Sequence, residues 1–167
     1  MSFFEKPPFL YRPPYGKHYH EDFETLRFMT TAGVDTVVLS PMNTLNSFGE
    51  PYSDHPPIWK WFQTYDFGTL EQQIQEVLDI APEIRFILTI DLNSPQWFSR
   101  RLQQDSFYSL GEISLNPRWK EETTAYLRAF INYCEAHHRD RVCGYILACG
   151  RTLEWIEPRN DKPGPLK

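Results

Sequence analysis

A chain of 167 residues is enough for one domain with a real core. Its net charge of −5 is mild, and Lys and Arg are scattered without a basic stripe, which argues against nucleic acid as a partner. The three cysteines, Cys134, Cys143 and Cys149, are odd in number and lack zinc spacing, so buried free thiols are expected and no metal or other cofactor. No apolar run has signal-peptide or membrane-spanning length, so a soluble, cytoplasmic protein is expected.

The N-terminal stretch from Phe9 to Tyr15 is short, aromatic and flanked by prolines, and reads as a first strand. Phe23, Leu26 and Met29 then recur at helical spacing, with Gly33 as a C-cap. Val34 to Leu39 is a β-branched buried strand that ends at Ser40-Pro41-Met42-Asn43. A long loop is expected from Asn43 to about Tyr65, carrying Tyr52, His55, Trp59 and Trp61; loops of this length are usually functional or disordered, and its aromatic content argues against disorder. Its tryptophans lack a period, so they can serve as stacking platforms or fill the core. His18, His20 and His55 have no recognised ligand spacing, and no metal site is expected there.

Asp66 is expected to cap a helix whose stripe is Leu70, Ile74, Val77 and Leu78. Ile84 to Ile90 is the clearest strand, followed by Asp91-Leu92-Asn93-Ser94-Pro95. Ser94 as N-cap and Pro95 at the first helical position open a short helix with Trp97, Phe98 and Leu102. Gln103 to Leu115 reads as loop. Asn116-Pro117 opens a helix to about His138 that buries Trp119, Thr123, Leu127, Phe130, Ile131 and Cys134. Val142 to Ala148 is a last apolar strand, followed by Gly150-Arg151-Thr152 and then Glu154 beside Trp155.

Strands that are apolar throughout and separated by helices indicate an α/β fold with a parallel sheet. Right-handed crossovers place every strand's C-terminal end on one side. The segments leaving those ends hold most of the loop Asn, Asp, Glu and Trp residues. Asp91 and Asn93 suit hydrogen bonds to sugar hydroxyls, or plain loop capping. Trp97 can be a stacking surface or helix-face core.

The run Thr64-Tyr65-Asp66-Phe67, a helix, the strand IRFILTID and then Asn93-Ser94-Pro95-Gln96-Trp97-Phe98 is similar to the β-galactosidase-like barrels of the large clan of retaining glycoside hydrolases. GYILACGRTLEW resembles their fourth strand, which ends in the acid/base glutamate. The likeness covers most of residues 9 to 156 and implies the first four β/α units of a TIM barrel over residues 1–158, with a polar tail at 159–167. It implies hydrolysis of a glycosidic bond with retention, Glu154 being the general acid/base, and an oligosaccharide or glycoside as ligand. Asn43, Trp59, Trp61, Asp91, Asn93, Trp97, Arg151 and Trp155 are the expected substrate contacts. The family's nucleophile lies on a seventh strand, absent from a half-barrel, and a complete barrel takes about 250 residues. Leu153 stands where many members carry an asparagine that binds the sugar's 2-hydroxyl. A non-catalytic carbohydrate-binding module is the alternative, and pairing of two copies along exposed half-barrel edges is an expected consequence.

Overall fold

The computed structural model describes residues 10–11, 22–44 and 55–156. Most of the expected first strand, together with His18, His20, Tyr52 and the tail at 159–167, lies outside the described residues.

Four strands form one parallel sheet: β1 (Leu10–Tyr11), β2 (Thr36–Leu39), β5 (Arg85–Asp91) and β6 (Val142–Ala148), in the order β1-β2-β5-β6. Val37 pairs with Phe86, Leu39 with Leu88 and Ile90 with Leu147. Between β1 and β2 runs α1 (Asp22–Thr31), closed by Gly33 at φ 98°. Between β5 and β6 run α3 (Gln96–Leu102), α4 (Leu110–Ile113) and α5 (Pro117–His137).

The stretch expected as a bare loop contains a hairpin, β3 (Trp59–Trp61) against β4 (Thr64–Tyr65), and leads into α2 (Gly68–Leu78). Gln63, in the turn, sits at φ 49°. Helix α4 likewise lies within the stretch expected as loop. Both elements are too short for periodicity to reveal them.

Strand residues alternate faces. Val37, Leu39, Phe86, Leu88 and Ile90 share one core with Leu26 of α1, Leu70, Ile74 and Val77 of α2, and Tyr126, Phe130 and Cys134 of α5. The three long helices therefore cover one face of the sheet, as right-handed crossovers between sequential parallel strands require. The opposite face is more polar. Buried Thr36, Thr89 and Asp91 lie there, Ser40 Oγ donates to Thr89 Oγ1 at 2.9 Å, and a small cluster of Met42, Ala148 and Leu153 closes one end.

Helix ends follow local chemistry. Asn116 caps α5, its side-chain oxygen accepting from the amides of Arg118 and Trp119 at 2.9 and 3.3 Å. Asp66 does not hold the N-cap of α2, which falls on Phe67, although its Oδ1 accepts from Gly68 N at 3.0 Å. Ser94 does not cap α3: Pro95 occupies the N-cap position, and the Ser94 hydroxyl accepts from Trp119 Nε1 at 3.0 Å instead. Phe67 stacks on Tyr133 at 4.2 Å, and Glu71 meets His138 at 2.6 Å, joining α2 to the end of α5.

Candidate functional site

The C-terminal ends of β2, β5 and β6 meet in a buried polar knot. Asp91, the last residue of β5, has 0% exposure. Its Oδ1 accepts from the Asn93 amide at 3.0 Å and from Asn93 Nδ2 at 2.9 Å. Its Oδ2 accepts from the Asn43 amide at 2.8 Å and from the Thr44 hydroxyl at 2.9 Å. Burial pushes the carboxyl above its ordinary range, and these donated bonds pull it back. Asn43 Nδ2 returns a bond to the Asp91 carbonyl at 2.9 Å, while its Oδ1 accepts from Trp59 N at 3.3 Å.

Asn93 extends the knot to β6. It accepts from Gly150 N at 2.9 Å and donates to Gly150 O at 3.2 Å. It also accepts from the Ser106 hydroxyl at 3.0 Å, and that hydroxyl in turn accepts from Ser94 N at 2.7 Å. Buried backbone groups at strand ends must find partners, and these side chains supply them. Asp91 and Asn93 thus brace the strand ends. With no exposed surface and their polar atoms already engaged, they do not present the free hydrogen bonds to a ligand that the sequence suggests.

Above the knot lies a cavity of about 700 Å³. Its floor includes Asn43, Thr44 and Ser94, where the strands end. Trp59, Lys60, Gln96 and Trp97 form one wall, from β3 and the start of α3. Asp105, Phe107 and Tyr108, from the turn before α4, line it as well, as do His55 and Pro56. Trp97 Nε1 donates to Trp59 O at 3.3 Å, fixing the indole against the hairpin. His55 Nε2 lies 3.4 Å from Glu76 Oε2, so α2 holds the imidazole.

Of the sequence-predicted contacts, Asn43, Trp59 and Trp97 line this cavity. Trp59 is only 1% exposed and stacks on Tyr126 at 5.0 Å, so it is chiefly core. Trp61 is 45% exposed but lies outside the lining, its ring 4.7 Å from Trp97 with the Arg101 guanidinium 5.4 Å away. Arg151 approaches the rim indirectly, 5.8 Å from the ring of Tyr108. Lys60, Gln96, Asp105, Phe107 and Tyr108 are lining residues that periodicity does not reveal. The paired aromatics of Phe107-Tyr108 in a stretch without helical periodicity are the one sequence sign of them.

Glu154 stands apart. It is exposed, lies outside the cavity lining and makes none of the knot's bonds. The turn explains why. Leu153 and Trp155 both adopt left-handed backbone, at φ 63° and 60°. Leu153 N donates to Gly150 O at 3.1 Å and Trp155 N to Cys149 O at 3.0 Å. Leu153 turns inward onto Met42 and Ala148. Trp155, about half exposed, sends its indole N–H to Leu147 O at 2.8 Å. Leu153 is therefore an apolar plug at this end of the sheet.

The chain is an α/β protein with a parallel sheet and a semi-aromatic cavity at the strands' C-terminal ends. No family model, no curated protein and no solved structure matches it. Among the described residues there is no membrane-spanning helix and no cluster suited to a metal ion.

Proposed function

We propose that this chain binds carbohydrate in the cavity above the β2 and β5 ends, on a scaffold corresponding to the first four β/α units of a (β/α)8 barrel. Strictly sequential parallel strands with their long helices on one face support the barrel reading, because a doubly wound sheet reverses its strand order and carries helices on both faces. The observation that carries the ligand class is the cavity lining. Trp97 offers a flat apolar surface for the C–H face of a pyranose, and Thr44, Lys60, Gln96 and Asp105 supply donors and acceptors for its hydroxyls. The likeness to β-galactosidase-like barrels points the same way.

The test is a glycan array followed by titration calorimetry on the best binder. Trp97→Ala is expected to weaken binding at least tenfold. An array on which no glycan binds the wild-type protein overturns the reading.

Hydrolysis is the second reading, favoured by Glu154 lying six residues beyond the end of β6. A retaining enzyme needs a second carboxylate about 5–5.5 Å from the first, and an acid held by burial at a raised pKa. Glu154 is exposed in this structure. Release of nitrophenol from aryl glycosides, lost in Glu154→Gln with glycan binding retained, supports hydrolysis. Binding without turnover leaves the module reading standing.

A further inference from the structure

The cavity is larger than one sugar ring fills, and its aromatic residues differ in depth. Its volume of about 700 Å³ falls within the range of sites for ligands of two rings or more. Trp59 and Phe107 are 1% and 4% exposed and form the deep part. Trp97 is half-buried. Tyr108 is 52% exposed while still lining the cavity, so its ring stands where the cavity opens to solvent.

Tyr108 is held firmly. Asp105 Oδ1 accepts from Phe107 N at 2.8 Å, and Asp105 O accepts from Ser109 N at 2.9 Å, which closes a tight turn. Phe107 meets the Tyr108 ring edge-on at 5.0 Å, and the Arg151 guanidinium lies 5.8 Å from its centroid. An exposed aromatic braced in this way costs little ordering entropy when a ligand stacks on it.

We infer that the ligand is an oligosaccharide of at least two sugar units, with one ring in the cavity beside Trp97 and the next at the mouth on Tyr108. This rests on the carbohydrate reading above. Tyr108 is then a chain-length residue: it contributes to longer glycans and leaves a single sugar unaffected. The stacked pair Tyr108 and Arg151 also gives the β6 end a share in the site that Glu154 does not provide.

The experiment is titration calorimetry with the mono-, di- and tetrasaccharide of whichever series binds best on the array, using wild type, Tyr108→Ala and Tyr108→Phe. Wild type is expected to gain at least tenfold in affinity from mono- to disaccharide. Tyr108→Ala should lose most of that gain and keep its monosaccharide affinity, while Tyr108→Phe retains the gain. Equal affinity for mono- and disaccharide in wild type overturns the inference while sustaining the carbohydrate reading. So does a Tyr108→Ala protein that keeps the full gain, or one that loses the monosaccharide too. Absence of any sugar binding sinks the carbohydrate reading itself.

Discussion

Asp91 presents each oxygen to one backbone N–H, that of Asn93 at Oδ1 and that of Asn43 at Oδ2. An asparagine at this position must turn its NH₂ toward one of those N–H groups, whichever way it flips. Asp91→Asn is therefore expected to cost about 2–3 kcal/mol, since a buried donor is left facing a donor; urea unfolding reads it. An unchanged midpoint would mean that the knot is not what holds the strand ends. The cysteines give a second test at this scale. Burial, followed by the nearby Glu71 and Asp91 carboxyls respectively, pushes Cys134 and Cys149 up to about 12. The folded protein then holds both thiols protonated at pH 8, where thiolate is the reactive form. Iodoacetamide at that pH should leave both unmodified in the native state and label both in urea, with the half-buried Cys143 reacting first. The same shift makes stability decline as pH rises above the ordinary value of 9.0, because the unfolded chain sheds protons that the folded one keeps.

Helix α5 contributes much of the core, and its start depends on one side chain. Asn116→Ala should lower stability by about 1 kcal/mol, and Asn116→Asp by a few tenths at most, read from thermal unfolding. The turn after β6 is equally specific. Gly150 sits at φ +81°, and a Cβ there would come within 3.2 Å of the Ile156 carbonyl and 3.3 Å of Leu110 Cδ2. Gly150→Ala is expected to cost about 1–2 kcal/mol from the left-handed backbone alone. The cavity wall depends on elements of three and four residues, β3 and α4. Their positions follow from what they pack against: Trp59 edge-on to Trp97 and stacked on Tyr126, and Leu110 and Ile113 in the core.

At the scale of the whole molecule, β6 is an edge strand of the sheet. Ile146 and Leu147 project to opposite faces there and are 37% and 43% exposed, with Trp155 and Ile156 exposed nearby. An apolar edge of this kind invites another strand. On the half-barrel reading, a second copy pairs along it. Light scattering should then give twice the chain's own mass, and Leu147→Lys should restore the single mass. A single mass for the wild-type chain would reject the pairing.

The order of the long helices and of the sheet strands β2, β5 and β6 is legible in the sequence, because apolar strands and 3.6-residue stripes are local signals that burial enforces. The Asn116-Pro117 cap and the Gly33 stop are legible for the same reason: each acts on its own backbone. The residues at the strand ends are legible as a group, but their roles are not. Asp91 and Asn93 look like ligand contacts along the chain and become structural only when β2, β5 and β6 lie side by side and their end groups need partners. Ser94 reads as a helix cap until Trp119, 25 positions away, takes its hydroxyl. Glu154 is marked by its place after β6, yet its exposure is set by Leu153 turning onto Met42 across the sheet. Tyr108 reaches the cavity through the tight turn at Asp105 and the packing of Phe107. Local propensity fixes what each segment becomes, whereas exposure and hydrogen-bond partnership depend on neighbours distant in sequence, and those alone separate a brace from a binding surface.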